Sequence, residues 1–169
     1  MTNQTQKKIQ QNRDRRFFRE IVKPIVLNKD MQAARKHTQH GNVSVFAHSL
    51  AVAHYSVRLA DILNIKCDKR SLIRGAVLHD FFLYDWHRMH NAGDGLHGFA
   101  HPTTASKNAI RNFRLNKREV DIIRKHMWPL TFSKLPKYRE SWLVCIADKY
   151  CSLLETFKLN RYGDFTFLR

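Results

Sequence analysis

Val77-Leu78-His79-Asp80-Phe81 sets an imidazole beside a carboxylate at the end of an apolar run. Neighbouring residues on a regular helix point about 100° apart, so His79 and Asp80 reach a common point only where a helix is ending or distorted. A shared metal ion is one reason for such a pair. The other is boundary chemistry, with His79 closing a helix and Asp80 opening a turn. The rest of the chain decides between the two.

The helix that delivers the pair spans Arg70 to His79, with Leu72, Ile73, Ala76 and Val77 facing inward. Before it, Val43 to Leu63 carries Val45, His48, Val52, Leu59 and Leu63 at steps of three, four or seven, which puts His48 on the inward stripe. A buried imidazole either finds a partner or costs stability. His54 lies off that stripe, at the surface or behind the site.

Helical patterning is lost from Phe81 to Ala100. Gly93, Gly95 and Gly98 mix there with Asp85, His87, His90 and His97 and with the aromatics Phe82, Tyr84, Trp86 and Phe99. Loops of this length inside compact domains are usually functional. A helix resumes at His101-Pro102, proline at the first helical position being a start signal, and continues through Ala105, Ala109 and Ile110 to Phe113. Asn116 caps the next helix with Glu119 as its capping-box partner, and Val120, Ile123 and His126 share its inward face. Trp128 to Lys137, with Pro129 and Pro136, reads as a loop. The last major helix, Tyr138 to Phe157, has an apolar face of Trp142, Ile146, Tyr150 and Leu153, with Asp148 beside it.

Toward the other end, Gln6 to Arg19 is a basic helical lead-in, followed by the apolar segment Ile21 to Leu27, broken by Pro24. A short helix covers Lys29 to Lys36, and His37, His40 and Gly41 mark a loop. The stretch from Asn160 is aromatic and basic, with Tyr162, Phe165 and Phe167 packing back on the domain. Alternating strand patterns, internal repeats and low-complexity segments are absent, so the expected fold class is all-α, a compact bundle of about six to eight helices.

With 169 residues, 43% of them hydrophobic, the chain is long enough to bury one core without staples. No run approaches the ~18 apolar residues of a membrane helix, and the polar first residues carry no leader pattern. Cys67, Cys145 and Cys151 are odd in number and lack any CxxC spacing, which argues for reduced thiols and against a disulfide framework or zinc knuckle. A cytoplasmic protein with no membrane partner is expected. The formal charge of +16 suits a phosphate-bearing substrate, nucleic acid or an acidic surface.

Four helices thus each bring an inward histidine or aspartate to an end: His48, His79 with Asp80, His126, and Asp148, with His101 opening a fifth. In a bundle these groups converge, and imidazole with carboxylate suits iron, manganese or zinc better than the oxygen-only shell of calcium.

This ordered set resembles the HD-domain superfamily of metal-dependent phosphohydrolases, whose pattern is H…HD…D. The likeness runs from roughly Gly41 to Glu155. His48 within His48-Ser49-Leu50-Ala51-Val52-Ala53 is similar to the first histidine, Leu78-His79-Asp80 to the doublet and Ala147-Asp148 to the last aspartate. His101 and His126 resemble the extra ligands of the dinuclear branch, which includes enzymes cleaving diadenosine tetraphosphate and cyclic dinucleotides. His97 is a rival for the place given to His101. The resemblance implies one or two divalent transition-metal ions, iron or manganese favoured over zinc. His48, His79, Asp80 and Asp148 would hold one, His101 and His126 the second, and Asp80 would bridge.

The pattern departs from many relatives after the doublet, where this chain has the bulky Phe81-Phe82-Leu83-Tyr84-Asp85-Trp86-His87 in place of Ile-Gly-Lys. Lys149 and, in that insert, Asp85 and His87 are the candidates for phosphate contact or leaving-group protonation, with Asp80 at the catalytic centre. Trp86 and Trp128 are candidates for stacking on a base or for packing in core or lid. The expected organisation is a single HD-type domain over 1–169, with a basic helical extension over 1–40, a catalytic core over 41–157 and a tail over 158–169. The expected function is hydrolysis of a phosphate ester or anhydride, a nucleotide above all. The alternative is a nucleic-acid-binding or nucleotide-sensing helical module with a structural metal.

Overall fold

The computed structural model describes residues 2–83 and 97–159. Among these the chain forms seven α-helices and one two-stranded hairpin: α1 Asn3–Val26, α2 Lys29–Ala33, a 3-10 turn Ala34–Lys36, β1 Thr38–His40, β2 Val43–Ser44, α3 Val45–Ile62, α4 Lys69–Leu78, α5 His97–Asn112, α6 Lys117–Lys125 and α7 Arg139–Thr156. The all-α class holds. No described helix is long and apolar enough to cross a membrane.

α3 is the central element, packed against α4 and α7, while α6 fills the space beside α4, α5 and α7. It is buried on most of its circumference, through Val45, Phe46, Leu50, Ala51, Val52, Ala53 and Ala60. Small residues on that surface let neighbouring backbones approach closely, and the core continues through Leu72, Ile73, Val77, Ile122, Ile123 and Val144. Caps set the helix starts. Ser44 accepts from the Ala47 amide at α3, Asp68 from Ser71 at α4, and Asn116 with Glu119 completes the expected capping box at α6.

Buried carboxylates tie the helices together. Glu119 accepts from Arg74 Nε at 2.7 Å, Asp121 from Ser141 Oγ at 2.7 Å, and Glu140 from the Asp68 amide at 2.7 Å. Six of the chain's 14 acidic residues, Asp80, Glu119, Asp121, Glu140, Asp148 and Glu155, are buried, whereas no lysine or arginine is buried among the described residues. The exterior is therefore still more basic than the composition implies.

Four expectations are corrected. α1 runs unbroken through Pro24, because Phe18, Ile21, Val22, Ile25 and Val26 bury on both sides of it and the missing amide costs one hydrogen bond at an exposed position. α5 begins at His97, so Pro102 lies inside it rather than opening it. The loop at His37 to Gly41 supplies β1 and the turn of the antiparallel hairpin β1–β2, whose second strand takes Val43 and Ser44 from the expected helix; the hairpin is too short to show alternation, and Gly41 turns it with φ +56°. The largest error concerns α7. Ile146, Tyr150 and Leu153 are about half exposed, at 53%, 48% and 57%, while Ser141, Cys145, Ala147, Asp148, Cys151 and Glu155 face inward. Close approach to α3 selects small residues, and the polar centre selects acidic ones, so hydropathy points to the wrong face. On α3, Leu63 is likewise exposed, and on α5 Ile110.

Gly75 marks a close contact of α4 with α6. A Cβ there would stand 2.5 Å from Ile122 Cδ1 and 3.0 Å from Ile122 Cβ and Cγ2. Gly75→Ala should therefore destabilise despite alanine's better helix propensity, by about 1–2 kcal/mol net, lowering Tm by about 3–6 °C in calorimetry. An unchanged or higher Tm would mean that α4 and α6 can part at no cost.

Candidate metal centre

His79 closes α4 and Asp80 follows it, so the two side chains turn to one point where the helix ends, as their adjacency requires. α3 brings His48, α5 His101, the C-terminal end of α6 His126, and α7 Asp148. All six side chains are buried, with residue exposures between 0% and 6%.

Asp80 is the hub. Its Oδ2 lies 3.2 Å from His79 Nε2 and 3.8 Å from His48 Nε2, while its Oδ1 lies 3.2 Å from His101 Nε2 and 3.4 Å from His126 Nε2. Asp148 Oδ1 completes the first side, 3.1 Å from His48 Nε2 and 3.6 Å from His79 Nε2. His101 and His126 face each other, Nε2 to Nε2, at 2.8 Å. The structure thus brings together all six residues that the sequence put forward as ligands. Donor atoms of His48, His79 and Asp148, and of His79, Asp80 and His126, fall within 4.8 Å of one another and could each hold an ion.

The imidazoles are oriented by their outer nitrogens. His79 Nδ1 lies 2.7 Å from the Ala76 carbonyl and His126 Nδ1 2.9 Å from that of Ile123, three residues back in each helix. A carbonyl only accepts, so each Nδ1 carries the proton and each Nε2 turns a lone pair to the centre when the ring is neutral. His48 Nδ1 meets the Glu155 carboxylate at 2.9 and 3.0 Å. Yet His79 Nε2 and Asp80 Oδ1 have no hydrogen-bond partner, although both are buried. Buried polar atoms rarely go unpaired, and these two face the shared gap. A cation between them fits the donor set.

The electrostatics carry the same demand for positive charge. Burial alone would lower His48, but its hydrogen bonds to Asp148 and Glu155 outweigh that and raise it from 6.5 to about 9. Burial likewise acts against protonated His79, and the charge of Asp80 with the nearby Asp148 raises it to about 10. His126, for which burial dominates, drops to about 4. Burial would raise both carboxyls, yet His79, His101 and His126 hold Asp80 well below the usual range, and His48 and His79 do the same for Asp148.

Two supporting residues escaped the sequence reading. Glu155 sits seven residues beyond Asp148 on the inward face of α7, a spacing that was visible but masked by the misread apolar stripe. Gln39, on β1, donates from Nε2 to Asp80 Oδ2 at 2.6 Å, and its own Oε1 is buried without a partner. Nothing in the sequence distinguishes it from any loop glutamine.

Lys149 stands at the rim, its Nζ 2.9 Å from Asp148 Oδ2 and 2.8 Å from the His126 carbonyl, with 41% of its side chain exposed. Trp128 packs edge-on against Trp142, ring centres 4.7 Å apart. Asp85, His87, Trp86 and the side chain of His97 lie outside the described residues.

A helical bundle closing on a buried cluster of imidazoles and carboxylates defines a site that could hold divalent transition metal. The HD domain family model matches residues 45–153, and the chain belongs to that family, whose members bind divalent metals and are in general metal-dependent phosphohydrolases. No curated protein and no solved structure matched the chain.

Proposed function

We propose that this protein hydrolyses a phosphate ester or anhydride of a nucleotide, as a phosphatase or phosphodiesterase. The observation that carries the proposal is the double-sided carboxylate of Asp80, whose two oxygens face two different sets of imidazoles. His48, His79, Asp80 and Asp148 would hold one divalent ion, and His101 and His126 a second that shares Asp80. His101 is preferred to His97 because its ring reaches both Asp80 and His126. The donors are nitrogen and oxygen alone, and the Cys145 thiol instead meets the Lys125 carbonyl at 3.3 Å, which supports iron or manganese, with zinc next.

When bound, such ions acidify water and neutralise charge on phosphoryl oxygens. The chain's own part is positioning. Glu155 holds His48, the Ala76 and Ile123 carbonyls aim His79 and His126, and Gln39 steadies Asp80. Lys149, fixed at the rim, offers an ammonium to a substrate phosphate, and Asp85 or His87 protonates the leaving group. The basic exterior draws an anionic substrate inward. The thiols of Cys67 and Cys145, outside any disulfide, support a reducing compartment, the cytoplasm.

The test is anaerobic reconstitution with iron, manganese or zinc, metal analysis, and assay against p-nitrophenyl phosphate and a panel of nucleotides. Turnover that follows metal content supports the reading, and a chain that takes up no metal refutes it.

A pH dependence follows from the raised histidines. With His48 at about 9 and His79 at about 10, both carry protons in the metal-free protein at neutral pH and must lose them to bind a cation. Metal affinity should rise with pH, by up to about tenfold per unit for each proton released, less steeply above about pH 9 and flat above about pH 10. Calorimetry in buffers of different ionisation enthalpy counts those protons. Uptake that releases none would contradict the assignment of His48 and His79.

A further inference from the structure

The feature that the metal centre leaves unused is α1. Its residues Asn3–Phe17 are all exposed, and burial begins only at Phe18. This is about 22 Å of helix that contributes nothing to the core. From Asn3 to Lys23 it carries seven basic residues against Asp14 and Glu20. The two acids are occupied on the helix itself, Asp14 by Gln10 Nε2 at 2.9 Å and Glu20 by Arg16 Nε at 2.9 Å.

We infer that α1 is a docking arm for nucleic acid. Lys8, Arg15, Arg19 and Lys23 recur at steps of seven, four and four, which lines them along one face over about 22 Å. All four are exposed, and none has an ion-pair partner among the described residues. The positive surface continues onto the domain. Half-buried His54 on α3, in edge contact with Phe18, feels the charges of both Arg58 and Arg15. Six carboxylates that could have answered these cations are buried in the interior.

Chemistry selects the partner. The exposed part of α1 holds only two large apolar side chains, Ile9 and Phe17, two turns apart, which is too little apolar surface to sink into a lipid layer. Those two side chains fall short of the central cluster of aromatic and apolar anchors that a protein interface needs. Before and between the cations stand Asn3, Gln4, Gln6, Gln10, Gln11 and Asn12, carboxamides of the kind that hydrogen-bond to phosphate, sugar and base edges. A single α-helix of this width fits the major groove of duplex DNA.

The experiment is fluorescence anisotropy of the full-length protein with a labelled 20-base-pair duplex, repeated with single-stranded DNA and RNA, between 50 and 300 mM salt. Four phosphate contacts correspond to a slope of log K against log salt of about −3.6. The triple variant Lys8→Gln, Arg15→Gln, Arg19→Gln should make the slope shallower by about 2.7 and weaken binding at least tenfold at 100 mM salt. A control that removes the same charge elsewhere, Lys107→Gln, Lys117→Gln, Lys134→Gln, should leave the slope nearly unchanged. Equal losses in the two triple variants would reduce the effect to bulk charge and overturn the arm. So would undetectable oligonucleotide binding at 50 mM salt, or tighter arm-dependent binding to anionic phospholipid vesicles than to the duplex. Unchanged Tm in both variants excludes unfolding as the cause, since every substituted residue is exposed. The outcome is independent of the hydrolase reading, because no residue of the metal centre is altered.

Discussion

Asp80→Ala should cost the protein its metal and its turnover together. The carboxylate is 2% exposed and stands within 3.2–3.8 Å of four imidazoles, those of His48, His79, His101 and His126. It turns one oxygen to His48 and His79 and the other to His101 and His126. Its removal takes one donor from each proposed ion and the negative charge that draws both, so metal affinity should fall by more than about a hundredfold and activity by about a thousandfold or more. Alanine also strips the opposing charge from His79, which lowers its raised pKa toward the ordinary imidazole range. Metal analysis after anaerobic reconstitution, beside assay of p-nitrophenyl phosphate, measures both losses. Asp80→Asn, which keeps the side-chain volume, guards against a folding defect. Full metal content in either folded variant would contradict the role given to Asp80.

Glu155→Ala is expected to show the second largest effect, on stability as well as on metal. Glu155 is 1% exposed, and its carboxylate holds His48 Nδ1 while Asp148 holds Nε2. Deleting one partner of a buried charged pair costs about 3–5 kcal/mol, or a Tm fall of roughly 6–20 °C in a chain of this size. Loss of such an orienting carboxylate typically weakens metal binding about 10–100-fold. Glu155→Gln keeps the shape and removes the charge, so it should fold better than the alanine variant yet still bind metal more weakly. If the glutamine variant binds metal as tightly as the parent, Glu155 serves packing alone.

The sequence carried most of this centre, for a physical reason. An imidazole or carboxylate on the inward side of a helix is expensive unless answered, and five helices each placed one there, near an end in every case but Asp148, which lies at the middle of α7. Spacing and boundary signals therefore brought forward His48, His79, Asp80, His101, His126 and Asp148, and the resemblance to the HD pattern joined them into one ligand set. Glu155 could not, because the bulk of Trp142, Ile146 and Leu153 suggested the opposite face of α7 as the buried one. Gln39 left no trace at all, since its role is set by a hairpin of five backbone residues and by a contact 41 positions away in the chain. Local pattern reports what a helix buries; it does not report which loop is folded over a helix end.

At Gly41 the chain turns with φ +56°, and a Cβ on that residue would stand 3.1 Å from the carbonyl oxygen of Glu155. One bare backbone unit therefore lets the hairpin that carries Gln39 nestle against the end of the helix that carries Glu155. The braces behind Asp80 and His48 share a single spacer, and its thickness is that of a hydrogen atom. Selection for tight metal retention would be felt at this glycine, a residue with no functional group to offer.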